Sequence, residues 1–307
     1  MVRPANGEVN RPPQAPEWVA APERSTMLAL RSIAWIALAL GRPLARLMLY
    51  PITLYFVMFS VRPRIASRQY LSKALGRQAS VADTFRHYHT FAGTILDRLY
   101  LLKEQFSRFD VQIHGAEIVN DLAAGGKGCV LLGAHMGSFE IIRSAGRAHG
   151  FKVSMVMYEG NARKIRTLLE AINPALQMEV IGLGSVDSML KVEAALERGE
   201  IVGLLADRTI QGGGTVSCPF FGEPAAFPVG PVRIAAMLKR PVALMVGIYR
   251  GDNRYEVHFE RLAELDQIAS RDRDAMTRHV LQRYAERLEH YCRIAPYNWF
   301  NFYDFWR

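Results

Sequence analysis

The stretch Cys129-Val-Leu-Leu-Gly-Ala-His135-Met-Gly-Ser-Phe-Glu140 decides the reading of this chain. Its opening apolar run follows the turn-rich Ala123-Ala-Gly-Gly-Lys-Gly128, which is the pattern of a strand buried on both faces. Polar groups appear where that strand ends, and active sites in sheets flanked by helices gather at the carboxyl ends of strands. On a single helix, five steps would turn His135 and Glu140 about 140° apart. The pair therefore meets only if His135 sits on the loop and Glu140 in the first turn of the next helix. Gly137 lets that loop bend, and Ser138 suits an N-cap. So arranged, Glu140 would hold the imidazole tautomer, and His135 could deprotonate a hydroxyl for attack on a thioester carbonyl. No protein nucleophile is needed.

Working outward, helical spacing of Phe85, Tyr88, Phe91, Ile95, Leu99 and Leu102 predicts a helix over 81–105. Beyond the His135 loop the pattern predicts helices over 139–149, 162–171, 186–198 and 230–238, and a long one over 272–291. Between them fall strands over 152–157, 180–183, 201–205, 242–249 and 255–262. Alternation of this kind predicts an α/β fold, a mixed sheet flanked by helices.

The N-terminal quarter differs. Residues 1–77 hold eleven Lys/Arg and three acidic residues, and so carry +8 of the chain's net +9. Mean hydropathy is near zero, with half of all residues hydrophobic. A nucleic-acid-binding domain would carry its basic surface on the folded module, so no nucleic-acid partner is expected. The distribution suits a segment lying against anionic headgroups. Residues 1–26 read as a flexible leader, 27–69 as a membrane-attachment helical segment, and 70–307 as the main domain. Neither 27–40 nor the uncharged run 47–61 reaches the roughly 20 residues that span a bilayer. Either the two form one tilted span with Arg42 and Arg46 snorkelling, or they lie in the interface with Tyr50, Tyr55 and Phe56 at its depth. An Arg at the bilayer centre costs about 2.5–3.5 kcal/mol, which disfavours a span centred on Arg46.

Cys129, Cys218 and Cys292 follow no disulfide or metal-ligand spacing. Gly125-Gly-Lys127-Gly lacks the Ser/Thr and upstream glycine of a phosphate-binding loop. There is no G-x-S-x-G elbow. His87, His89, His279 and His290 fit solvated or capped helix positions, and the aromatic 296–306 run fits packing.

The His135–Glu140 block resembles the H-x4-D/E motif of the glycerolipid acyltransferase superfamily, and more closely the late lipid A acyltransferases of Gram-negative bacteria. A second stretch is similar in the same order: Leu204-Leu-Ala-Asp207-Arg208, Gly212-Gly-Gly, Pro219-Phe-Phe-Gly222, Ala225 and Gly230-Pro. The resemblance implies a glycerolipid acyltransferase-like fold on the cytoplasmic face of the inner membrane. It implies an acyl carrier protein thioester as donor, a lipid acceptor, and no metal or other cofactor. His135 would be the base and Glu140 its partner, with Asp207 and Arg208 lining the site. A basic residue that stabilises the oxyanion is expected at Arg163 or Arg166. Asp-Arg stands where the closest lipid A enzymes carry Asp-Gln, and the loop after His135 lacks the tryptophans often found there. Both departures bear on the acceptor, which could be another amphiphile such as an aryl polyene, glycolipid or glycerolipid; acyl-CoA is the alternative donor, and a catalytically silent lipid-binding protein the alternative class.

Overall fold

The computed structural model describes residues 37–39, 41–126, 128–142, 146, 150–159, 180–184, 186–209, 213–265 and 272–306. In chain order the described elements begin with α1 (Arg42–Phe59), α2 (Val61–Leu75), α3 (Val81–Leu102), β1 (Asp110–His114) and α4 (Ala116–Ala124). Next come β2 (Cys129–Gly133), β3 (Val153–Tyr158), β4 (Val180–Leu183), α5 (Val186–Glu197) and β5 (Ile201–Leu205). The chain continues through β6 (Thr215–Phe220), β7 (Glu223–Pro228), α6 (Gly230–Met237), β8 (Val242–Gly251), β9 (Arg254–Ala263) and α7 (Arg273–Ile294).

Seven strands form one mixed sheet in the order β1-β9-β8-β2-β5-β3-β4, and β6 and β7 form a separate antiparallel hairpin. From β8 to β4 neighbours run parallel, whereas β9 turns back antiparallel on β8 and β1 lies parallel to β9. The strand that precedes His135 lies inside the sheet, between β5 and β8. Period-2 alternation splits its side chains: Val130 and Leu132 enter the core under α2, α5, α6, α7 and the hairpin. Cys129 and Leu131 enter the opposite core, under α1, α3 and α4. The α/β architecture is thus the one the alternating pattern predicts. The hairpin and the edge strand β1 were not expected. Much of the helix predicted over 139–149, and all of the one over 162–171, lies outside the described residues.

α3 starts where a capping box places it. Ser80 Oγ accepts from the Asp83 N–H at 3.1 Å, and Asp83 accepts from the Ser80 N–H at 2.8 Å. Arg77 forks onto the same carboxylate at 2.7 and 3.0 Å, and the Tyr297 hydroxyl donates to it at 2.7 Å. These donors hold the Asp83 carboxyl well below the usual range.

α1 packs on α3 through Ala45, Leu49, Thr53 and Val57, a stripe at intervals of four. Its other side leaves Leu47, Tyr50, Leu54, Tyr55, Met58 and Phe59 each more than half exposed. No described helix is by itself long and apolar enough to cross a membrane; α1 and α2 pass that test only together, bent by 97°. Arg42 and Arg46 point inward. Arg42 forks onto fully buried Asp97 of α3 at 2.7 and 2.9 Å, Arg46 reaches it at 3.3 Å, and the Tyr255 hydroxyl donates to it at 2.9 Å. Snorkelling by this pair toward headgroups is therefore not what the fold adopts: both guanidiniums turn to Asp97, Arg42 also donating to Asp252 O and Arg46 to the Tyr249 hydroxyl.

Candidate active site

β2 ends at Gly133, whose carbonyl accepts from the Ala206 N–H at 3.0 Å and from the Tyr284 hydroxyl at 2.8 Å. The loop beyond is held from both sides. Gly137 takes φ +56°, and a Cβ there would overlap the carbonyl oxygen of Gly247 on β8. Only glycine permits this approach, which lets the Ser138 N–H donate to Gly247 O at 2.9 Å. On the other side the chain after α7 runs alongside. Asn298 O accepts from the Gly137 N–H at 2.8 Å, and the Phe300 N–H donates to His135 O at 2.7 Å.

The carboxylate that meets the His135 ring belongs to Asp207, just beyond β5. His135 Nδ1 lies 2.8 Å from Asp207 Oδ1, and the His135 N–H donates to Oδ2 at 2.8 Å. The Trp299 indole N–H donates to the same Oδ2 at 2.9 Å. Burial pushes the Asp207 carboxyl up, but His135 and Arg208 outweigh it and bring it down to about 2. Ionised, it can only accept, so Nδ1 carries the proton and Nε2 presents a lone pair. No described residue hydrogen-bonds Nε2, and 31% of the His135 side chain stays exposed. Burial lowers the His135 pKa from the usual 6.5, Asp207 opposes that shift, and Arg208 and Arg98 add to it. The imidazole is a free base at neutral pH.

Glu140 is engaged elsewhere. Arg98 of α3 pairs with it at 2.7 Å, and the Ser138 hydroxyl donates to it at 3.1 Å. The H-x4-E spacing thus brings Glu140 to the site without giving it the imidazole, because the ring turns its Nδ1 toward the end of β5. Through Glu140, Arg98 is fixed near enough to His135 to depress its basicity. Arg208 donates to Phe300 O at 3.1 Å and lies over the Tyr303 ring at 5.8 Å. Arg163 and Arg166 lie outside the described residues.

Arg98 and Trp299 are the site residues that sequence reasoning missed. Arg98 resembles any charge on an amphipathic helix, and Trp299 any core aromatic. Among the described residues, His114, Glu256 and His258 are grouped closely enough to hold a metal ion, with donor atoms within 4.8 Å. They lie on β1 and β9 at the sheet's far side, and Glu256 already pairs with Arg250 at 2.8 Å.

Sequence comparison adds one finding. The family model described as bacterial lipid A biosynthesis acyltransferase matches residues 19–307. Among curated proteins nothing matches the chain.

Proposed function

Because the chain belongs to the bacterial lipid A biosynthesis acyltransferase family, we propose that it moves a fatty acyl chain from an acyl carrier protein thioester to a hydroxyl of a lipid A precursor or related amphiphile. The observation that carries the mechanism is the 2.8 Å contact between His135 Nδ1 and Asp207. His135 Nε2 takes the proton of the acceptor hydroxyl as the oxygen attacks the thioester carbonyl. Asp207 stabilises the imidazolium that forms, as the carboxylate of a catalytic triad does. Collapse of the tetrahedral intermediate breaks the C–S bond, and the imidazolium returns its proton to the departing thiolate. Glu140 acts at one remove, by holding Arg98 as a fixed positive charge near the imidazole, which keeps the base unprotonated at rest.

The same reading places the enzyme on the cytoplasmic face of the inner membrane, with the outward face of α1 in the lipid interface. Its exposed aromatic and aliphatic side chains and the +8 charge of residues 1–77 support that placement. The inward pairing of Arg42 and Arg46 favours lying in the interface over spanning.

The test is acyl transfer by purified protein in detergent, followed by mass spectrometry. Labelled acyl carrier protein serves as donor with a panel of bacterial lipid acceptors, wild type beside His135→Ala. Product formed by wild type and lost in the variant supports the reading. Wild-type turnover that survives in the variant removes His135 from the chemistry.

A further inference from the structure

Three groups compete for the two oxygens of Asp207. Oδ1 serves the imidazole, while Oδ2 accepts from the His135 N–H and from the Trp299 indole. The carboxylate cannot rotate without breaking one of them. The indole is itself clamped. It is fully buried, with edge-on contacts to Tyr70 at 4.9 Å, Phe220 at 5.3 Å and Phe305 at 4.9 Å. Its backbone carbonyl accepts from His87 Nε2 at 2.9 Å, and His87 Nδ1 faces the Ser67 hydroxyl at 2.8 Å. A carbonyl can only accept, so His87 carries its proton on Nε2 and Ser67 donates to Nδ1. Ser67, His87, Trp299 and Asp207 thus form a buried series that reaches the half-buried His135, through the Trp299 carbonyl on one side and its indole N–H on the other.

We propose that Trp299 is a positioning residue for acyl transfer, fixing the rotation of the Asp207 carboxylate that orients His135, with His87 holding Trp299 in register. The inference rests on the function proposed above and deepens it. The indole shares the Asp207 charge with the imidazole. Without it the carboxylate is a stronger acceptor, less well aimed, and draws more strongly on an imidazolium. The other groups facing the pair are Arg208, Arg98 of α3, Tyr284 and Cys292 of α7, and Tyr303. None of them donates to Oδ2.

The test compares kcat, KM and the pH dependence of kcat/KM in Trp299→Phe, Trp306→Phe and His135→Ala. Trp306 is the control, since it sits in the same aromatic cluster and gives its indole N–H to Phe220 O at 3.1 Å rather than to Asp207. Trp299→Phe is expected to lose roughly 10- to 100-fold in kcat with little change in KM, and its acid limb should move to higher pH. Trp306→Phe should keep the wild-type limb. A Trp299→Phe limb that coincides with those of wild type and Trp306→Phe overturns the positioning role. Full activity in His135→Ala overturns instead the mechanism beneath it. Should Trp299→Phe fail to fold, the indole N–H resonances of 15N-labelled protein answer the same question. One of them must titrate with the midpoint of kcat/KM in wild type and stop doing so in Asp207→Asn; the absence of any such resonance refutes the proposal.

Discussion

Asp207→Asn and Glu140→Gln form the pair of substitutions that weighs one carboxylate against the other. Both replace an oxygen by an NH2 group of nearly the same size. In Asp207→Asn the amide has two orientations. If its oxygen stays opposite His135 Nδ1, its NH2 faces the His135 N–H and the Trp299 indole, donors that sit 2.8 and 2.9 Å from Oδ2 in the wild type. Each donor left without a partner costs about 1–3 kcal/mol. If the amide flips, NH2 meets Nδ1 and forces the proton onto Nε2, so the base loses its lone pair. The second outcome is the less damaging to the fold and the more damaging to turnover. Loss of the equivalent carboxylate from a Ser-His-Asp triad lowers kcat about 10⁴-fold, or about 5.4 kcal/mol at 1.36 kcal/mol per tenfold. A fall of roughly 10³–10⁴ in kcat is therefore expected. Glu140→Gln keeps the Ser138 hydrogen bond and weakens only the pairing with Arg98, whose side chain is 33% exposed. An ion pair with one partly exposed member and no hydrogen bond contributes about 1 kcal/mol at most, so a loss of about fivefold or less is expected. Initial rates at saturating acyl donor, with thermal unfolding as a check on the fold, measure both. A Glu140→Gln defect equal to or deeper than that of Asp207→Asn would refute the assignment of Asp207 as the orienting carboxylate.

Three further outcomes follow from the same geometry. Burial lowers the His87 pKa to about 4 while the unfolded chain titrates at 6.5, so between these values the unfolded state binds more protons and stability falls as pH falls; the full difference approaches roughly 3 kcal/mol, and chemical denaturation at pH 7 and 4.5 should show a slope that His87→Gln flattens. The acid limb of kcat/KM should lie below pH 6.5, since burial lowers the His135 pKa, and should move lower still in Asp207→Asn, where the opposing negative charge is gone; a limb above 6.5 in the wild type contradicts the enclosure of the ring. Asp97→Asn leaves Arg42 and Arg46 without their buried counter-charge and should lower stability by about 3–5 kcal/mol, read as a fall in denaturant midpoint, whereas an unchanged midpoint would mean that water replaces the carboxylate.

The core strands were legible because burial on both faces writes an uninterrupted apolar run. Cys129–Gly133 and Ile201–Leu205 show it directly. β1 was not, because its residues alternate between exposed and half-buried at the sheet edge. The hairpin was hidden by Pro219, Pro224 and Pro228, which argue against a strand, although Pro219 and Pro224 sit opposite each other near its turn. Within the site, spacing singled out His135, and the family resemblance put Asp207 nearby, but neither made Asp207 its partner. A contact across 72 residues leaves no local trace, while Glu140 stood five positions away. The same limit applies to Trp299, 92 residues beyond the carboxylate it bonds.

That separation bears on the order in which the molecule is built. Synthesis delivers the exposed face of α1 first, then the strand and loop that carry His135, then Asp207, and only afterwards the segment that closes over both. Contacts so distant along the chain form late in folding, because their loop-closure entropy must be met before they contribute. A nascent or partly folded molecule therefore carries its imidazole unaimed until that segment docks. Alignment of the imidazole arrives with the final docking of residues 298–300, which makes it a property of the finished fold rather than of any one segment.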